Sequence, residues 1–331
     1  MANPKQQRID PARTAAAGRA KKPQKKGGRP GIVVPPKAKV RKATFRDWIA
    51  GARPRTLPLA IAPVALGVAT AYLYEPGWHW IRSTLCLAVA VLLQVAVNYA
   101  NDYSDGVRGS DHYRVGPSRL TGSGAAKPRT VLAVAMVFFG FAALAGLAIV
   151  VITGQWWLLM VGAAALAAGW FYTGGKHPYG YYGLGEVFVF VFFGLVATVG
   201  TMYVQVGAIS IEAWIAGSCA GLLACAVLMV NNIRDANQDK LAKKRTLAVL
   251  IGDLPSRVVF GLLLLVPFGI LYFFTLLFDS AFYVYFVLLA AVPAVIITLT
   301  GKTSAEFILA LRLSSVTALF FGLGLAAAII F

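Results

Sequence analysis

The chain has 331 residues, of which 58% are hydrophobic and 13% charged, with a mean hydropathy of +0.70 and a net charge of +18. That hydropathy excludes a soluble domain and points to a polytopic α-helical membrane protein. The positive balance is not distributed as a nucleic-acid binder would have it: 16 of the 31 Lys and Arg precede Thr56, and most others lie in short loops between apolar runs. No nucleic-acid partner is expected.

Residues 1 to 44 are rich in Lys, Arg, Pro, Gly and Ala, with Asp10 the one acid. Such a composition buries too little apolar surface to order itself, so this stretch reads as a disordered basic tail ahead of a membrane domain at 45–331. No apolar region follows the early charges as a signal peptide requires. Phe45, Trp48, Ile49 and Ala52 recur at helical spacing and predict a short interfacial helix with an aromatic anchor. Apolar runs then predict nine spans, at about 57–74, 81–103, 130–152, 156–173, 184–206, 211–233, 256–278, 281–299 and 305–330. The long connection at 104–128 suggests a functional lid. Cys86, Cys219 and Cys225 all fall inside apolar runs and read as small core residues. The three histidines form no ligand pair, so a zinc site is not expected.

Two polar stretches interrupt this pattern. The second span ends in Asn98-Tyr-Ala-Asn101-Asp102-Tyr-Ser-Asp105, and the sixth ends in Asn231-Asn232-Ile-Arg-Asp235-Ala-Asn-Gln-Asp239. If the helices continue, Asn98, Asp102 and Asp105 share one face, with Asn101 beside Asp105; Asn231, Asp235 and Asp239 share another. Helix caps or water-facing turns would account for one such cluster. Two matched clusters suggest oxygen donors that face each other and chelate a divalent cation, since acids at membrane depth mark function. Arg108, Arg114 and Arg119 accompany the first, and Arg234, Lys240, Lys243, Lys244 and Arg245 the second. Topology-setting charge explains such cations taken alone. Beside paired acids they suit a diphosphate held through Mg²⁺. No Walker-type phosphate loop is present.

Of the 31 cationic residues, 29 fall on the side that carries the tail and both clusters. The positive-inside rule therefore predicts a multi-pass plasma (inner) membrane protein with its N-terminus and acidic clusters cytoplasmic and its C-terminus external. A metal–diphosphate site at the rim of an apolar bundle points to a lipid diphosphate. Aromatic positions including Tyr99, Tyr103, Trp170, Tyr172, Tyr181, Phe188 and Phe192 could stabilise an allylic cation, or simply pack. A cation transporter is the competing class, but it leaves the cations at both acidic sites unexplained.

The paired signature Asn101-Asp-x-x-Asp105…Asp111 with Asp235-x-x-x-Asp239 resembles the UbiA superfamily of intramembrane prenyltransferases. Arg53-Pro-Arg-Thr-Leu-Pro58, Gly116-Pro-Ser-Arg-Leu-Thr-Gly-Ser-Gly124, Tyr172-Thr-Gly-Gly175, Tyr182-Gly-Leu-Gly-Glu-Val-Phe188 and Asn231-Asn-Ile-Arg-Asp235…Lys244-Arg-Thr-Leu-Ala-Val249 are similar, more narrowly, to 1,4-dihydroxy-2-naphthoate polyprenyltransferases. The resemblance implies an all-α fold of nine membrane helices around a central cavity and dependence on Mg²⁺. It also implies transfer of a polyprenyl group from its diphosphate to 1,4-dihydroxy-2-naphthoate in menaquinone biosynthesis. 4-Hydroxybenzoate or homogentisate are the alternative acceptors. Carried over by position, Asn101, Asp105, Asp111, Asp235 and Asp239 are metal residues, and Asp102, Asp105, Asp235 and Asp239 catalytic ones. Asn98, Arg119, Lys176, Asn232, Lys240, Lys244 and Arg245 are the substrate-binding candidates. Five residues separate Asp105 from Asp111 where the superfamily pattern has three, which takes Asp111 off the helical register.

Overall fold

The computed structural model describes residues 41–77, 79–110 and 119–331, all in helices, turns and connecting segments. The predicted interfacial helix is α1, Phe45–Ala52. Thr44 and Asp47 close a capping box at its start, and Arg41 pairs with Asp47 at 2.9 Å. Phe45 and Ile49 remain exposed, as an anchor lying in the interface requires. The chain turns through Arg53, whose φ of 55° is unusual for a non-glycine, into a short 3-10 turn at Pro54–Thr56.

Five helices follow: α2 (Pro58–Tyr74), α3 (Trp80–Arg108), α4 (Pro128–Thr153), α5 (Leu158–Phe171) and α6 (Gly185–Val189). α6 continues through a π-helical turn at Phe190–Val196 into α7 (Ala197–Val206). Then come α8 (Ile211–Leu241), α9 (Leu247–Ile251) and α10 (Asp253–Thr275). A 3-10 stretch at Asp279–Val287 leads into α11 (Leu288–Thr300), and α12 (Ser304–Ile330) ends the fold. α8 is buried along most of its length, against α10, α12 and the α6–α7 helix. Gly194 makes that last contact possible: a Cβ there would lie 2.6 Å from the Gly217 carbonyl oxygen and the Gly221 Cα.

Two packed clusters flank a central space. One unites α2, α8, α10 and α12 around Leu66, Leu223, Phe260 and Phe321. The other joins α3 and α4 through Ala96, Tyr99, Val131 and Phe139, with Trp48 of α1 against it.

The expected count of nine spans is not reached by length and apolarity. Among the described residues, seven helices are long and apolar enough to cross a bilayer. The 45–56 segment with α2 makes an eighth, bent by 46°. The run expected at 156–173 yields only the 14-residue α5. The three cysteines are buried and unpaired, in agreement with their apolar settings.

Candidate active site

The end of α3 stays helical to Arg108, so its polar residues fall on two adjacent stripes instead of one. Asn98 and Asp102 face α1 and the loop after residue 118. The Asn98 carboxamide donates to the Ala52 carbonyl oxygen at 2.9 Å. Both Asp102 oxygens accept backbone N–H groups, from Leu120 at 2.9 Å and Thr121 at 2.8 Å. One turn on, Gly106 leaves room for that loop, since a Cβ would lie 2.4 Å from Thr121 Cγ2. Asp102 therefore fastens the loop expected to act as a lid.

Asn101, Asp105 and Arg108 form the second stripe. Asn101 Oδ1 accepts from the Thr173 hydroxyl at 2.6 Å. Asp105 Oδ1 accepts from the Tyr181 hydroxyl at 2.8 Å, and Oδ2 pairs with Arg119 at 3.0 Å. Arg108 donates to the Thr173 and Gly175 carbonyl oxygens. The stripe thereby holds the connection between α5 and α6 at Thr173, Gly175 and Tyr181.

On α8, Asp235 receives a two-pronged contact from Arg234, at 2.7 and 2.6 Å. Asp239 has the Lys244 ammonium at 3.7 Å and the Thr246 hydroxyl at 3.5 Å. Burial opposes the charge on Lys244, but the carboxylates of Asp105 and Asp239 outweigh it and raise its pKa above the ordinary lysine value. Lys244 is therefore cationic and links the α3 acids to those of α8. Asn232 donates to Glu186 Oε1 at 3.0 Å. Glu186 is buried, and the sequence reading assigned it no role although an acid opening an apolar span is a functional signal in its own right. Lys176, Lys240 and Arg245 are exposed and are not drawn to the acids as Arg119 and Lys244 are. Asp111 lies outside the described residues.

Below the acids lies a cavity of about 330 Å³ bounded by α2, α3, α5, α7 and α8. Arg53, Gln94, Asn98, Asn101 and Asn231 border its polar end, one helical turn from Asp105 and Asp235. Its wall descends α3 to Cys86, roughly 22 Å at the helical rise per residue. The aromatic wall is narrower than the sequence suggested. Tyr179 stacks on Phe188 with centroids 3.9 Å apart, Tyr172 meets Tyr179 edge-on at 5.5 Å, and all three line the cavity. Tyr99 instead packs under α1, donating to the Trp48 carbonyl oxygen at 2.7 Å.

The sequence profile of the UbiA prenyltransferase family matches residues 60–316. The chain belongs to the UbiA prenyltransferase family. Within it, the 1,4-dihydroxy-2-naphthoate octaprenyltransferase of Mycobacterium tuberculosis is 50% identical over 236 residues, 71% of this chain and 80% of that protein. The protein of the same name from Escherichia coli is 36% identical over 216 residues, 63% of this chain and 70% of its own length. Among solved structures, a UbiA homologue from Aeropyrum pernix superposes with a TM-score of 0.61 at 15% identity, covering 81% of this chain and 96% of that one. A homologue from Archaeoglobus fulgidus, bound to GPP and Mg²⁺, superposes at 0.57 with 15% identity, over 86% of this chain and 99% of its own. These likenesses establish the UbiA fold, and the chain is an integral multi-pass membrane prenyltransferase.

Proposed function

We propose that this UbiA enzyme transfers a polyprenyl group from polyprenyl diphosphate to 1,4-dihydroxy-2-naphthoate, with loss of the carboxylate as CO₂, giving a demethylmenaquinone in its reduced, hydroquinone form. One observation carries the reading: a deep apolar cavity meets a layer of carboxamides one turn below two sets of buried acids and their cations. That arrangement accepts a long apolar chain with a polyanionic head. The relatives named as naphthoate octaprenyltransferases support the acceptor.

The donors fit a hard divalent cation. Among the described residues no three Asp, Glu, His or Cys side chains gather into a closed cage. Mg²⁺ does not need one, since it retains waters and relies on one or two carboxylates plus substrate phosphates. Asn101, Asp105, Asp235 and Asp239 offer only oxygen, and Arg119 and Lys244 already place positive charge against these acids. Asp111 is proposed alongside them. Mg²⁺ bound there would supply the charge that neutralises the departing diphosphate.

Arg119 and Lys244 are the cations within reach of the diphosphate oxygens. Tyr172, Tyr179 and Phe188 present π-faces to the allylic carbon as its C–O bond breaks and the electron pair leaves with the diphosphate. The electron-rich ring attacks that carbon; departure of CO₂ returns its bonding pair to the ring and restores the hydroquinone. Gln94 suits recognition of an acceptor hydroxyl: its amide donates to the Thr56 carbonyl oxygen, while its buried Oε1 has no partner among the described residues. Arg53 at the same end suits the acceptor carboxylate.

Purified enzyme given Mg²⁺ and a long all-trans polyprenyl diphosphate is expected to prenylate 1,4-dihydroxy-2-naphthoate at least about 100-fold faster than 4-hydroxybenzoate or homogentisate. A panel won by either benzenoid acid overturns the naphthoate assignment and leaves the donor chemistry intact.

The enzyme is proposed to sit in the plasma membrane with the acidic clusters facing the cytoplasm. Lys302→Cys and Asp279→Cys, both at exposed positions, test this in a background whose native cysteines are replaced. In right-side-out vesicles an impermeant maleimide should label Asp279→Cys and spare Lys302→Cys. Labelling of both refutes the orientation.

A further inference from the structure

We propose that Tyr181 is a positioning residue that holds the two acidic clusters in register for the metal and the diphosphate; this rests on the prenyl-diphosphate reading above. The residue ends a 3-10 turn, Tyr179–Tyr181, that is itself pinned. The Gly180 N–H donates to the Tyr172 carbonyl oxygen at 3.0 Å, and Arg108 grips the neighbouring Thr173 and Gly175 carbonyl oxygens.

From this anchored turn Tyr181 reaches both helices. A phenol has one proton to donate. Ser110, 3.3 Å from the Tyr181 oxygen, gives its own proton to the Asp105 carbonyl oxygen at 3.0 Å. The Tyr181 proton therefore goes to the Asp105 carboxylate at 2.8 Å, leaving the other carboxylate oxygen for Arg119.

The ring has a separate task. Arg108 and Lys244 each lie 5.4 Å from its centroid, within cation–π range. Lys244 is also the group that reaches Asp239. The Tyr181 carbonyl oxygen accepts the Arg245 N–H at 3.0 Å, which ties the turn to the segment after α8. One side chain thus orients an acid of α3 through its hydroxyl and the cation beside an acid of α8 through its ring.

Hydroxyl and ring are separable by substitution. Full-length enzyme in detergent would be titrated calorimetrically with an unreactive thiolodiphosphate analogue of farnesyl diphosphate, at a series of Mg²⁺ concentrations. Tyr181→Phe keeps the ring and should raise the Mg²⁺ concentration for half-maximal binding about tenfold, the effect of one lost hydrogen bond to a charged group. Its affinity for the analogue at saturating Mg²⁺ should stay within about threefold of wild type, because both cation–π contacts survive. Tyr181→Leu should shift the Mg²⁺ requirement as far and also weaken the analogue about tenfold. Wild-type values for both quantities in Tyr181→Phe overturn the proposal, as does an equal loss of both in the two variants together with a lower unfolding temperature. The first comparison stands alone if Tyr181→Leu does not fold. None of these measurements involves an aromatic acceptor, so an error in the acceptor leaves them untouched. Wild-type protein that fails to bind the analogue with Mg²⁺ refutes the donor reading itself.

Discussion

Asp105→Asn is expected to lower kcat/KM about 1,000-fold, the scale of losing a pre-positioned charge in a water-poor site. Asparagine keeps the size and one oxygen of the carboxyl but removes the charge that faces Arg119 and Lys244. Asp105 is 3% exposed, so solvent does little to replace it. The clearest mark of the change lies in Lys244, whose raised pKa depends on Asp105 and Asp239 together. With Asp105 neutral, burial gains on the remaining carboxylate and the lysine pKa falls. Asp105→Asn is thus expected to lose metal affinity and to weaken the proposed Lys244–diphosphate contact in one step. Lys302→Gln, exposed beyond the end of α11, serves as the control and should keep full activity. Steady-state rates in nanodiscs across a Mg²⁺ series decide the matter. Turnover in Asp105→Asn within tenfold of wild type at ordinary Mg²⁺ would remove Asp105 from the metal site.

Asp102→Ala should fail in another way, through stability. Its carboxylate receives two N–H groups from a loop whose Leu120 and Thr121 are both buried. Removing it orphans both donors at a cost of about 3 kcal/mol. Arg119 directly precedes Leu120, so loosening this loop frees the guanidinium that pairs with Asp105 and raises KM for the prenyl donor. Asp102→Asn, which keeps one acceptor oxygen, should fall between wild type and Asp102→Ala in unfolding temperature. A large fall in kcat in Asp102→Ala with unchanged stability and donor KM would instead place Asp102 among the reacting groups.

The contrast between these two aspartates shows what spacing could and could not reveal. Composition and apolar run length were enough for the all-helical membrane fold, because a bilayer admits few alternatives. Spacing also brought Asn101 and Asp105 together, and Asp235 with Asp239. It did not say which way α3 faces. Asn98 and Asn101 lie only about 60° apart around the axis, so a small rotation decides which stripe meets the loop and which meets the site. The partners of α3 settle that rotation, and they come from distant segments: Tyr181 is 76 residues beyond Asp105. The cations were under-determined for a related reason. Arg119, Lys176, Lys240, Lys244 and Arg245 are alike as loop charges, and burial separates the two that meet acids from the three that face water. Glu186 was legible as an acid at the start of a span, but its pairing with Asn232, 46 residues away, was not.

The brevity of α5 has a consequence for the surrounding lipid. Fourteen residues rise about 21 Å, against a hydrocarbon layer about 30 Å thick. Exposed Trp156 and Trp157 at one end are side chains that settle at the boundary between acyl chains and headgroups. A span this short is expected to draw the two leaflets inward beside α5. α5 is also a wall of the cavity, through Leu158, Val161 and Ala165. A bilayer thinner than average is therefore expected next to the compartment that receives the isoprenoid.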